Sequence, residues 1–200
     1  MLWIKNLTSK LPRHPTKTYN TRQVGQVDML VIHTTVPFVD SPQQLAEYAV
    51  SPLTIWPDGV QRRNMLSRTG APAVPYHYLV GERNIYQALR LNEVSWHASG
   101  YNTRAVGIGL LYNPLDSDGK DRGNVAPPEA TLENAIRLCV KICRLKTLLP
   151  GITEGDQIFG HRELLGTGHE VVNGVIRYKK SCPGFGLDMD TFREAVEARF

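Results

Sequence analysis

The run VDMLVI (Val27–Ile32) is short, largely apolar and β-branched, and it ends in the polar triplet His33-Thr34-Thr35. A run of that length and composition reads as a strand buried within a sheet. A chain that contains one needs neighbouring strands to pair it and apolar layers to cover it. The side chains at its end then sit on the sheet rim, where sites are commonly built.

Other segments supply the neighbours and the cover. QIFG (Gln157–Gly160) reads as a second short strand and ends in His161-Arg162-Glu163. VGIGLLY (Val106–Tyr112) reads as a strand whose glycines permit close backbone approach. PYHYLV and NIYQAL flank Gly81-Glu82-Arg83 as a hairpin, and alternation puts Tyr76 and Tyr78 on one face with His77 turned to the core. Asn173-Gly174 between β-branched pairs signals a second hairpin, whose return strand runs toward Lys180. If that strand stays extended, Lys180 and Cys182 share one side and Lys179 and Ser181 the other.

Helical signals are separate from these. Ser41-Pro42-Gln43-Gln44 has an N-cap serine, proline at the first helical position and glutamine in the capping-box place. Over Pro128–Leu149, a stripe of Leu132, Ala135, Ile136, Cys139, Ile142 and Cys143 marks a helix covering the core, with Glu133 set to pair with Arg137. A last helix, capped by Asp188 or Asp190, carries Phe192 and Val196. Leu53–Val74 reads as an irregular loop. Asn113–Val125 reads as a mobile acidic loop that lacks the closing glutamate of an EF-hand. The class is α/β, a single domain with a central sheet flanked by helices.

The 200 residues suffice for one domain, and the division expected is a basic N-terminal arm over residues 1–26 and the main folded domain over 27–200. No early segment joins a positive start to a continuous apolar run and a small-residue cleavage site. The expectation is therefore synthesis in the cytoplasm without a standard export signal, with no membrane span. A net charge of +4 suits solubility or an anionic polymer, and the arginine and aromatic clusters that nucleic-acid recognition needs are not evident. Cys139 and Cys143 lie four apart on one helix, too far for a disulfide, and read as small core residues.

Cys182 is left unexplained, as a nucleophile, a metal ligand or a buried small hydrophobe. A nucleophilic cysteine wants one histidine as its base, whereas this chain offers two at strand ends. His33, His161 and Cys182 match a three-ligand zinc site of the catalytic kind, with a fourth position left for water. Glu163 could accept a hydrogen bond from His161 or form a surface ion pair.

VIHTT with His33, PYHYLV with Tyr76, WHASGYN with His97, GIGL, GHRE with His161 and KSCPG with Lys180 and Cys182 occur in a telling order. The chain resembles the zinc N-acetylmuramoyl-L-alanine amidases, in the branch of phage-lysozyme-type amidases and peptidoglycan recognition proteins, from about Val27 to the C-terminus. The resemblance implies a mixed β-sheet flanked by helices, one catalytic Zn2+ on His33, His161 and Cys182, and a catalytic pair of Tyr76 and Lys180. It assigns His97, with Asn102 and Thr34, to substrate contact. The implied substrate is peptidoglycan or a muropeptide, cut at the amide between the lactyl group of N-acetylmuramic acid and L-alanine by a monomeric enzyme. A phage endolysin is the role expected; a muropeptide-recycling amidase and a non-catalytic peptidoglycan-binding module are the alternatives. Two departures from the family stand out: the stretch from His161 to Lys180 is lengthened by its hairpin, and GIGL lacks the acidic residue many members carry after the second glycine.

Overall fold

The computed structural model describes residues 3–35, 41–55, 59–64, 67–116, 119–121, 123, 125–144, 149–164, 169–172, 175–178 and 181–199. In chain order its elements are β1 (Ile4–Asn6), β2 (Met29–Thr34), α1 (Pro42–Val50), β3 (Leu53–Ile55), β4 (Gln61–Arg63), β5 (Tyr78–Val80) and β6 (Ile85–Gln87). There follow β7 (Ala105–Leu110), α2 (Glu129–Arg144), β8 (Ile158–Gly160), β9 (His169–Val172), β10 (Val175–Tyr178) and α3 (Met189–Glu197).

Six strands form one mixed sheet in the order β1-β6-β5-β7-β2-β8. The four from β5 to β8 run parallel, while β6 is antiparallel to β5 and carries β1 parallel to itself at the edge. The expected α/β class and mixed sheet therefore hold. β2 sits between β7 and β8, so its end opens on the rim beside the end of β8.

Side-chain alternation gives the sheet two different faces. Leu30 and Ile32 of β2, Val106, Ile108 and Leu110 of β7, and Ile158 of β8 pack with the apolar stripes of α2 and α3. The stripe anticipated for α2 is buried apart from the half-buried Leu132, and Cys139 and Cys143 are free thiols within it. Burial pushes the Cys139 thiol well above its ordinary range. The opposite face carries Met29, Val31 and Ala105 against Ala98 and Leu164, with a second cluster around Leu79, Leu45 and Tyr48 that seats α1. The site lies on this second face, away from α2 and α3.

The caps follow the local chemistry. Ser41 Oγ accepts from Gln44 N at 3.2 Å and Asp188 Oδ1 from Thr191 N at 2.7 Å. Three local expectations change. Glu133 pairs with Arg199 at 2.8 Å instead of Arg137, because the chain end returns over α2. The 53–74 segment contains the antiparallel pair β3–β4, and Asn64 Nδ2 ties it to the end of α1 through the carbonyls of Tyr48, Ala49 and the C-cap residue Ser51. Tyr76 and Tyr78 do not share a face: Tyr78 joins the helix-side core and Tyr76 the opposite cluster. Regular alternation starts only at Tyr78, where β5 begins.

β9 and β10 pair as the anticipated hairpin, while its Asn173-Gly174 turn lies outside the described residues. The basic N-terminal segment adds β1 to the sheet edge and buries Tyr19 and Arg22. Arg22 donates to the carbonyls of Leu91, Asn102, Thr103 and Ala105, and Arg13 forms a two-pronged pair with Glu93. No helix among the described residues is long and apolar enough to cross a membrane.

Candidate metal centre

Three chain segments meet on the rim. His33 is the penultimate residue of β2, and its register partner on β7 is Gly109. His161 begins the short 3-10 turn directly after β8. Cys182 lies in the irregular segment that leads from β10 toward α3. Single ligand atoms of His33, His161 and Cys182 lie within 4.8 Å of one another, and no other group among the described residues is so disposed to hold a metal ion. The rings of His33 and His161 stand 4.6 Å apart at their centroids, and His33 Nδ1 is 3.6 Å from Cys182 Sγ. An imidazole nitrogen and a thiolate on one tetrahedral zinc-sized ion would stand about 3.6 Å apart, so the donor set and its spacing fit such an ion.

The Cys182 segment is held from several sides. Arg162, next to His161 and buried, donates its backbone N–H to Cys182 O at 2.8 Å. Its guanidinium reaches Gly184 O at 2.5 Å, Leu187 O at 2.7 Å and Ser181 O at 3.4 Å. From the other direction the Tyr112 hydroxyl donates to Pro183 O, and Thr34 Oγ1 donates to Tyr112 O at 2.5 Å. The bond from Thr34 thus leads from the end of β2 to the cysteine segment. Gly184 adopts φ +117°, and a Cβ there would collide with Tyr112 and Pro114, so this turn requires glycine.

Tyr76 lies against His33 with ring centroids 5.0 Å apart, and its hydroxyl is 3.5 Å from Thr34 O. Gly109 makes room for it: a Cβ at that position would stand 2.8 Å from Tyr76 Cδ2. Burial pushes the phenol pKa up, with Cys182 adding to the shift. Gly107, two residues earlier, receives the ring of His97. His97 Nδ1 stands 3.0 Å from His33 Nε2, and its Nε2 is buried without a partner in good hydrogen-bond geometry. Burial holds His97 well below the ordinary histidine range, with His77 the next cause, although the Ala105 carbonyl opposes the shift.

The sequence-derived candidates therefore divide. His33, His161 and Cys182 converge with Tyr76 beside them. His97 meets His33 itself, and Asn102 Oδ1 accepts the N–H groups of His97 at 3.0 Å and Ala98 at 2.7 Å. The Thr34 side chain points to the helix-side face, toward Tyr112. Lys180 and Lys179 lie outside the described residues. Glu163 accepts from Gly160 N and pairs with Arg193 of α3 at 3.0 Å. His77 is fully buried, its Nδ1 accepting from Gly107 N and its Nε2 facing Glu93 O at 2.9 Å. Arg162 was not singled out from the sequence, although its place directly after His161 in GHRE was a usable signal. Arg22 carried no such signal.

A model of the N-acetylmuramoyl-L-alanine amidase family, Amidase_2, matches residues 23–185, a span holding His33, Tyr76, His97, His161 and Cys182. The chain belongs to the Amidase_2 family. No curated protein sequence matches it, but solved structures of the family's fold do. The N-acetylmuramoyl-L-alanine amidase LysC from Clostridium intestinale shares 16% identity at a TM-score of 0.56, over 94% of this chain and 97% of that one. The Ph2119 endolysin of a Thermus scotoductus bacteriophage shares 18% at 0.58, over 97% and 99%. Peptidoglycan recognition protein LE, solved with tracheal cytotoxin, a monomeric diaminopimelic acid-type peptidoglycan, shares 16% at 0.60, over 98% and 95%. At such identities the likeness is one of fold, which this Amidase_2 chain shares with these three proteins.

Proposed function

We propose that this protein is a zinc-dependent N-acetylmuramoyl-L-alanine amidase, acting as a phage endolysin on the amide between the lactyl group of N-acetylmuramic acid and L-alanine of the stem peptide. The observation that carries the reading is the convergence of two imidazoles and one thiol within 4.8 Å at the sheet rim, in a chain of the Amidase_2 family. His33, His161 and Cys182 hold the ion. When bound, zinc supplies a Lewis acid that polarises the scissile carbonyl and lowers the pKa of water toward about 7.

The chain's other residues act on the charge that develops as the amide carbonyl becomes an oxyanion. Tyr76, beside His33, donates its phenolic hydrogen bond to that oxygen. Lys180 contributes a cation to the same oxygen. Arg162 and Tyr112 keep the cysteine segment in place while the substrate enters.

Mass analysis of digested sacculi tests the reading. New L-alanine amino termini on intact glycan strands are expected, and products cut within the glycan or the peptide would sink it. The Cys182→Ala variant is expected to lose zinc and at least about 100-fold in activity. The likeness to peptidoglycan recognition protein LE favours a second reading, a module that binds peptidoglycan without cleaving it. Retention on sacculi with no new amino termini would establish that alternative. Comparing sacculi with soluble muropeptides separates an endolysin from a recycling enzyme.

A further inference from the structure

His33 has a neighbour that the proposed chemistry does not use. Its Nε2 stands 3.0 Å from His97 Nδ1, both residues are buried, and the rings meet edge to face with centroids 5.1 Å apart. Two neutral imidazole nitrogens in hydrogen-bond contact share one proton, so one donates and the other accepts. The other nitrogen of His33, Nδ1, faces Cys182 Sγ at 3.6 Å. A ligating nitrogen carries no proton, which leaves the His33 proton on Nε2 whenever Nδ1 is the ligand.

We propose that His97 is a positioning residue for the metal: its Nδ1 accepts the Nε2–H of His33, fixing the tautomer and ring plane that turn Nδ1 toward Cys182. The inference rests on the reading of His33, His161 and Cys182 as metal ligands. Hydrogen-bonded partners behind a ligating histidine orient the ring and raise its basicity.

The surroundings are built for that acceptor. Asn102 Oδ1 fixes the loop backbone at His97 and Ala98. The ring lies on Gly107, where a Cβ would stand 2.8 Å from His97 Cγ and 2.9 Å from Nδ1. His77 backs the same glycine by accepting its N–H at 3.1 Å. Gly107, His97 and His33 thus form a line from the sheet to the centre. His97 is only 8% exposed, which leaves its ring little surface for a substrate.

Two variants of similar size separate acceptor from packing: His97→Gln keeps an acceptor and His97→Leu has none. Zinc affinity, read by competition with a chromogenic chelator, is expected to fall about 10–100-fold in the leucine variant and only severalfold in the glutamine variant. Gly107→Ala, which retains His97 and every ligand, is expected to reproduce the leucine loss. An unchanged affinity in the leucine variant would overturn the inference, and so would a glutamine variant as weak as leucine. A residue that only touches substrate would raise KM and leave zinc affinity alone.

Nitrogen-15 imidazole spectra of zinc-loaded wild-type protein read the tautomer without any variant. A proton on His33 Nε2 is expected, and a proton on Nδ1 would refute the role. Wild-type protein that binds no zinc would overturn the metal-centre reading together with this one, whereas zinc-binding wild type with an unaffected leucine variant overturns this one alone.

Discussion

Arg162 joins two of the three proposed ligands. Its backbone follows His161 and its buried guanidinium holds the carbonyls on both sides of Cys182, so one residue ties the two ligand segments together. Replacing it by methionine leaves these carbonyls without their donor, at an expected cost of about 3 kcal/mol in urea unfolding of the metal-free protein. Zinc affinity should fall with it. Arg162→Lys, which keeps the charge but not the fork, should lie between the two. His77 sets an acid limit on stability at the same scale. Burial, followed by the Arg22 guanidinium, pushes its pKa down to about 3. Below about pH 6.5 the unfolded chain takes up a proton that folded His77 refuses until near pH 3, so its contribution is full above that range and declines as pH falls. The decline is at most about 1.4 kcal/mol per pH unit. Urea unfolding between pH 6.5 and 4.5 is expected to show a shallower slope for His77→Gln than for wild type. Equal slopes would refute the assignment.

Among the elements, β7 shapes the site by what it lacks. Gly107 and Gly109 face the same side of the sheet, each receiving an aromatic ring where a side chain would otherwise stand. Gly109→Ala would bring a Cβ to 2.8 Å from Tyr76, 2.9 Å from Thr35 and 3.0 Å from Leu79. The expected result is about 1–3 kcal/mol of lost stability by thermal melting, together with slower release of amino termini as Tyr76 is displaced. The glycines were legible as points of close backbone approach, but it is the side-chain rings of His97 and Tyr76 that approach them, and no local pattern names those rings. The hairpin of β5 and β6 was legible from its turn, while the break in alternation at Tyr76 was not, because the pairing of residue 77 with Gly107 on β7 governs it.

For the whole molecule, the sheet separates stability from chemistry. α2 and α3 bury Phe192 and Val196 on one face, and the ligands open on the rim toward the other. Phe192→Ala is therefore expected to cost about 3–5 kcal/mol in urea unfolding while leaving zinc affinity within severalfold of wild type. A parallel loss of affinity would show that the two faces are coupled. The sequence by itself determined the buried strands, the capped helices and the polar residues at strand ends, because periodicity, capping and turn chemistry act between near neighbours. Only the tertiary structure decided that His97 meets His33 across 64 positions, that Arg162 spans the carbonyls around Cys182, and that Arg22 is buried among the carbonyls of residues 91–105. Each of those contacts depends on where the sheet brings distant segments together, and no local pattern encodes that.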